Sequence, residues 1–121
     1  MEEILNKSGL QIAELIRTKK ISVKEVFEIH SNLIKRFNPV LNAMVESNLD
    51  AGLAKAVKLD SKNNSDKPYF GVPFSCKEMI SVKGFLRTGG SQFYKKDISE
   101  VNGTCVNRLE EQEMILLGTT N

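Results

Sequence analysis

The sequence has little of what marks membrane-spanning, secreted or nucleic-acid-binding proteins. No run approaches the roughly 18–20 apolar residues that cross a bilayer, and the opening MEEILNKSGL lacks the basic-then-apolar order of a secretory signal. The formal net charge is only +2, with both signs interspersed, so the charge pattern predicts no phosphate-binding track. We therefore expect a reduced intracellular protein, cytoplasmic or peripheral, with no transmembrane segment and no nucleic-acid partner.

Potential metal ligands are equally scarce. The two cysteines, Cys76 and Cys105, and the single histidine, His30, have no metal-ligand spacing. His30 falls on the apolar side of a predicted helix, where we expect a packed ring with a satisfied nitrogen. Cys76 is expected to face the core as a small apolar residue. We predict no metal and no cofactor.

A chain of 121 residues with 40% apolar and 26% charged residues is typical of one compact domain. Ser8 is expected to cap a first helix. Ser22 and Glu25 form a capping-box pattern before a second helix, which has an apolar stripe from Val23 to Phe37. The pair Asn38-Pro39 is predicted to end that second helix.

The rest of the chain reads as strands separated by helices, which predicts an α/β fold with helices packed on a sheet. A short strand over residues 39–47 is expected to bury Leu41, Ala43 and Val45. The later predicted elements are a helix over about residues 48–62 that buries Leu49, Leu53, Ala56 and Val57, a solvated loop KNNSDKP at 62–68, a strand at 70–77, a glycine-rich stretch at 81–103, a helix capped by Thr104, and a buried strand MILLG at 114–118.

The strand at 70–77 carries a lysine, Lys77, at its end. Alternation predicts that one face is core and that the other has small residues with space above them. The predicted core face holds Phe70, Val72, Phe74 and Cys76, and the other face holds Gly71, Pro73, Ser75 and Lys77.

Two explanations for Lys77 remain open at this point. A lysine near a strand end commonly reaches solvent or protects a sheet edge, and spacing alone favours this explanation. A buried lysine instead has a lowered pKa, and its neutral amine can take a proton from a nearby serine. Ser-Lys variants of the serine triad use this chemistry.

The stretch GVPFSCKEMISVKG, followed by RTGGS, closely resembles the region around the catalytic lysine of the amidase signature family. The phrase NPVLNAMVES and the final TCVNRLEEQEMILLGTTN are similar to that family as well. The resemblance implies hydrolysis of a small-molecule amide through a Ser–cis-Ser–Lys triad, with Lys77 as the general base. It favours the fatty-acid amide hydrolase type over the tRNA-amidotransferase subunit. The loop RTGGSQ is expected near the substrate cavity, but the substrate-binding residues and the oligomeric state stay unknown.

The family's bridging serine, nucleophilic serine and oxyanion-hole amides belong to a Gly/Ser-rich segment further along the chain. The present sequence stops at Asn121, and Ser75, Ser81 and Ser91 do not match either catalytic serine. The resemblance thus predicts that residues 1–121 are a single partial amidase domain, truncated before that segment and inactive alone. The sequence departs from the family at three positions: Glu78 stands where aspartate is common, Cys76 stands where an aliphatic residue is usual, and Arg87 precedes the Thr88-Gly89-Gly90 turn.

Rival functions from other classes are weaker. The first two predicted helices superficially resemble a helix-turn-helix, but the exposed side of the second mixes charges such as Lys24 and Glu28. A non-catalytic remnant that binds a partner through an unpaired sheet edge is the other alternative. An amidotransferase A-type subunit remains possible within the family resemblance.

Overall fold

The computed structural model describes residues 2–62 and 66–121, so the central part of the predicted solvated loop, residues 63–65, lies outside the described residues. The predicted α/β fold is confirmed. The elements in chain order are α1 (Glu2–Leu5), α2 (Gly9–Arg17), α3 (Val23–Leu41), β1 (Met44–Ser47), α4 (Leu49–Asp60), β2 (Pro73–Lys77), a 3-10 turn (Gln92–Tyr94), α5 (Thr104–Glu111) and β3 (Ile115–Thr120).

The three strands of the described residues form a mixed sheet in the order β1-β3-β2. Strand β3 is antiparallel to β1 and parallel to β2. Because parallel strands need a crossover connection, the chain between β2 and β3 is long, and it includes α5. Helix α4 packs on β3, α3 packs on α4, and α3 also contacts β2. Phe27, Val26 and Ile115 are fully buried at the centre of this packing.

The helix starts follow the predicted capping chemistry at two positions. Ser8 and Ser22 each accept a hydrogen bond from the N–H three residues on, and the side chains of Gln11 and Glu25 accept one from the cap backbone in return. These reciprocal bonds satisfy N–H groups that have no partner inside a helix. The cap predicted at Thr104 is wrong, because Gly103 occupies that position and makes no side-chain cap bond.

The predicted end of α3 is also wrong. The helix continues through Pro39 to Leu41 and ends at Asn42, which has left-handed backbone angles and donates its N–H to the Asn38 carbonyl. Pro39 has no N–H to donate to the Lys35 carbonyl, so the last turn of α3 lacks one helical hydrogen bond. The side chain of Asn38 then pairs with the backbone of Met44 on both its amide atoms, at 3.0 and 2.7 Å, and so joins the helix to β1.

The side-chain phase predicted for β1 is reversed. Leu41 belongs to the helix, Val45 is exposed, and Met44 and Glu46 are the half-buried residues of the strand. Because strand alternation has a period of two, an error of one residue exchanges the two faces. In α4 the expected burial of Ala56 is confirmed, whereas Val57 is 49% exposed.

Candidate functional site

Lys77 is the last residue of β2, and the predicted alternation is confirmed over residues 74–77. The strand begins at Pro73 and not at residue 70, and Gly71, which was expected on the open face, is buried. Phe74 and Cys76 are buried, whereas Ser75 and Lys77 lie exposed on the opposite face. Of the two explanations left open for Lys77, the described residues match the exposed strand-end lysine and not the buried one. Alternation decides which face a side chain occupies, but only the neighbouring elements decide whether that face is covered.

Lys77 borders a hollow of about 270 Å³ at the end of the sheet. The hollow is lined on one side by strand ends and on the other by the Thr88-Gly89-Gly90 turn. Its lining residues are Val45, Lys77, Glu78, Met79, Thr88, Gly89, Gly90, Thr120 and Asn121. The structure thus brings the lysine together with the glycine turn of RTGGSQ, as the sequence predicted.

The backbone of Lys77 is held by β3. Lys77 is paired with Thr120, and the N–H of Glu78 donates to the Thr120 carbonyl at 2.8 Å. The N–H of Ile80 in turn donates to the Lys77 carbonyl at 2.9 Å, which turns the chain away directly after the strand. Lys77 therefore stands on a rigid sheet position, the kind of support that a chemically active side chain needs.

Glu78, the next residue, is a buried carboxylate with a defined set of donors. Its Oε1 accepts the N–H of Thr88 and its Oε2 accepts the N–H of Gly89 at 2.9 Å. Burial of the carboxylate opposes ionisation, but the hydrogen bonds from Thr88 and Gly89, with the charge of Lys77, hold the pKa of Glu78 below its ordinary value. Glu78 is therefore ionised at neutral pH and fastens the turn to the strand end.

A second carboxylate holds the same segment. Glu46 of β1 accepts the N–H of Leu86 at 2.8 Å. Beyond that point the segment pairs with itself: the N–H of Arg87 donates to the Asp97 carbonyl at 2.8 Å, and Leu86 is bridged to Ile98. The chain from Gly84 to Ser99 is therefore a folded excursion that two carboxylates attach to the sheet.

Sequence reasoning missed these two attachments, although a signal was present. Glu78 follows Phe74 and Cys76 at two-residue steps and so points to the same buried face. Glu46 lies two residues from Met44 and so shares its half-buried face of β1. A carboxylate on a buried face requires hydrogen-bond donors, so each position indicated a polar contact.

The remaining sequence candidates have local structural roles. The ring nitrogen Nδ1 of His30 lies 2.8 Å from the Val26 carbonyl oxygen, as expected for a packed histidine. Cys76 is buried, and this burial raises the pKa of its thiol, which disfavours the reactive thiolate. Ser81 accepts a hydrogen bond from Arg87 at 3.3 Å, and Ser91 caps the 3-10 turn.

Within residues 2–62 and 66–121, no group of three or more histidine, cysteine or acidic side chains is arranged to hold a metal ion. In the same part of the chain, every helix is too short or too polar to cross a bilayer.

Comparison with known proteins decides the family. Residues 25–121 match the sequence model of the Amidase family. The chain belongs to the amidase signature family. The match covers β1 to β3, and therefore includes Lys77, Glu78 and the glycine turn.

Individual amidase relatives agree with this assignment. The chain is 31% identical over 128 residues to fatty-acid amide hydrolase 2-B of Danio rerio, covering 98% of the chain and 24% of the relative. It is 32% identical over 120 residues to the A-type subunit of the glutamyl-tRNA(Gln) amidotransferase from Nitrosomonas europaea, covering 98% and 25%. A bacterial aryl acylamidase of the amidase signature family superimposes with a TM-score of 0.84 at 31% identity, covering 95% of the chain and 25% of that structure.

The chain therefore spans about a quarter of the length of the amidase relatives it matches. The identities to the amide hydrolase and to the amidotransferase subunit differ by one percentage point, 31% against 32%. Overall identity therefore does not separate these two types.

Proposed function

We propose that this chain contributes the general base, Lys77, to an amidohydrolase that cleaves carboxylic amides through a Ser–cis-Ser–Lys triad. The observation that carries the proposal is the placement of Lys77 at a fixed strand end beside a hollow, within a chain of the amidase signature family. Fatty-acid amides are one substrate class, as the name of the Danio rerio relative indicates.

The chemistry assigned to Lys77 is a proton relay. The neutral amine takes the proton of a bridging serine hydroxyl, which in turn takes the proton of the nucleophilic serine as that serine attacks the amide carbon. A lysine acts as such a base only in its neutral form, which burial away from water favours. Lys77 is exposed in the described residues. We therefore expect residues 1–121 alone to show no turnover.

The test is hydrolysis of a fatty-acid primary amide and an anilide by residues 1–121 and by the longest open reading frame that contains them. We expect turnover only from the longer product. There Lys77→Arg lowers kcat by about 100- to 10,000-fold, because arginine cannot serve as a neutral base. Lys83→Arg is the matched control at an exposed lysine outside the hollow.

Two results would contradict the proposal. Lysine-dependent turnover by residues 1–121 alone would show that the triad is not needed. Full activity of the longer product with arginine at position 77 would remove Lys77 from the base role.

An amidotransferase A-type subunit is a second candidate, supported by the 32% identity to the Nitrosomonas europaea protein. Adding glutamine to the substrates tested distinguishes this candidate from the amidohydrolase, because an amidotransferase A-type subunit releases ammonia from glutamine.

A non-catalytic interaction module is the third candidate, supported by the pairing of β2 on one side only within the described sheet. Light scattering tests it: concentration-dependent oligomers of residues 1–121, unaffected by amides, would favour this candidate over the enzyme.

A further inference from the structure

The dipeptide Lys77-Glu78 places two opposite charges on opposite sides of one strand end. Lys77 lies exposed beside the hollow, and Glu78 lies 6% exposed beneath the turn that forms the facing wall. Because consecutive side chains of a strand point to opposite faces, the position of one is tied to the position of the other. A backbone shift at Glu78 therefore moves Lys77 relative to the hollow.

The turn has little packing of its own. Gly89 and Gly90 have φ angles of +56° and +73°, and a Cβ added at either would meet nothing within 4 Å in the described chain. Such a turn is flexible unless hydrogen bonds hold it. Both oxygens of Glu78 accept its N–H groups, and charge-assisted bonds of this kind are stronger than neutral ones.

We propose that Glu78 is a positioning residue for Lys77: its ionised carboxylate holds the Thr88-Gly89-Gly90 turn in place as the wall of the hollow beside the amine. The proposal rests on the proposed function, because it concerns the geometry around the proposed base. It adds a residue that acts on Lys77 through the turn and the strand end.

The electrostatic surroundings of Glu78 define its titration. Lys77, the preceding residue, is the charged side chain that favours its ionised form, whereas Glu46 of β1 binds the Leu86 N–H and Arg87 pairs with Asp97 at 3.4 Å. The direct donors to the carboxylate are the turn N–H groups. Protonation of Glu78 removes the charge assistance from these bonds and therefore weakens the attachment of the turn.

Replacement by glutamine gives a sharp test because Glu78 uses both oxygens. A glutamine offers one acceptor and one NH₂ group, so one turn N–H would face another donor. Glu25 is the matched control: it accepts from the Ser22 backbone and hydroxyl through Oε2 alone, so glutamine can replace it with only one acceptor.

The experiment is ¹H–¹⁵N NMR on residues 1–121, with a pH titration of the backbone amides. In the wild type, the Thr88 and Gly89 amide protons should move together as pH falls, with a shared midpoint below the ordinary glutamate value. Glu78→Gln should abolish this titration and lower the {¹H}–¹⁵N NOE of the turn below that of the sheet. Glu25→Gln should change only the amides around Ser22.

Amide protons of Thr88 and Gly89 that do not titrate, or a turn that stays rigid in Glu78→Gln, would overturn the proposal. Should Glu78→Gln not fold, the wild-type titration decides, and Glu78→Asp, which keeps two acceptor oxygens, supplies a second variant. In a longer product that hydrolyses amides, Glu78→Gln should lower kcat about 100-fold with KM changed far less. An unchanged kcat of Glu78→Gln in that longer product would also overturn the positioning role.

The two proposals fail separately. If no product hydrolyses amides, the proposed function is rejected, and the amide titration still decides whether Glu78 positions the turn. If Lys77→Arg abolishes turnover but Glu78→Gln leaves the turn amides unchanged, the base assignment stands and the positioning role is rejected.

Discussion

Gly118 of β3 is the position where one added methyl group should damage the sheet most. A Cβ there would lie 2.2 Å from the Glu46 carbonyl oxygen, 2.8 Å from Ser47 Cα and 2.9 Å from Met44 Cε. Two of these atoms belong to the backbone of β1 and cannot turn aside. The pairing of β3 is irregular next to this residue on both sides, so the glycine allows β1 and β2 to approach the same strand.

The expected cost of Gly118→Ala combines two effects. Overpacking against rigid backbone costs about 1–3 kcal/mol. The backbone angle φ of +153° lies in a region that residues with a side chain rarely adopt, which costs about 1–3 kcal/mol more. We therefore expect a loss of about 3–4 kcal/mol in the free energy of unfolding, a large share of the roughly 5–15 kcal/mol typical of a domain.

Urea unfolding followed by circular dichroism measures this loss. With a typical slope of about 1–3 kcal/mol per molar urea, the Gly118→Ala midpoint should fall by about 2 M. Gly84→Ala is the matched control, because Gly84 has a φ of +84° and its Cβ would meet nothing within 4 Å in the described residues. It should lose only about 1–2 kcal/mol. Equal midpoints for the two variants would refute the steric argument.

Three further predictions follow from the contacts. Asp60→Asn should lower the free energy of unfolding by about 1 kcal/mol in the urea assay, because both its carboxylate oxygens accept first-turn N–H groups of α3, at 2.7 and 3.0 Å. A thiol reagent should modify Cys105, which is exposed, and reach Cys76 only after denaturation, because burial shields that thiol and raises its pKa; modification of both in the native state would contradict this. Since the pKa of Glu78 is lowered by folding, its contribution to stability is present above the ordinary glutamate pKa and is lost as pH falls through the lowered value. The difference in urea midpoint between wild type and Glu78→Gln should therefore be full at pH 7 and shrink in acid; a difference independent of pH would contradict it.

Local patterns in the sequence predicted much of the framework around the site. The Ser8 and Ser22 caps and the two faces of β2 are confirmed, because a cap needs residues only three apart and alternation needs only neighbours. The family resemblance, drawn from the stretch around Lys77, is confirmed by the match over residues 25–121. The role of Lys77 itself remains a proposal.

Errors arose where a local preference competed with a contact made elsewhere. Pro39 favours a helix end, but the helix continues to its C-cap at Asn42. The side chain of Asn38 then bonds to the backbone of Met44 in β1. The sequence of β1, MVES, does not show which side chains face the core, because each of its two faces holds one apolar and one polar residue. The second error bears on the hollow, because Val45, which was expected in the core, lines the hollow instead.

The amino-acid sequence by itself determined where α2 and α3 begin, which side of β2 is apolar and where a lysine stands at the strand end. Those properties depend on residues within one turn or one pleat of each other. Only the tertiary structure decided that Lys77 is exposed beside a hollow and that Glu78 holds residues ten and eleven positions away. The reason is that burial and hydrogen-bond partners depend on contacts between segments that are distant in the sequence, and local sequence patterns do not specify those contacts.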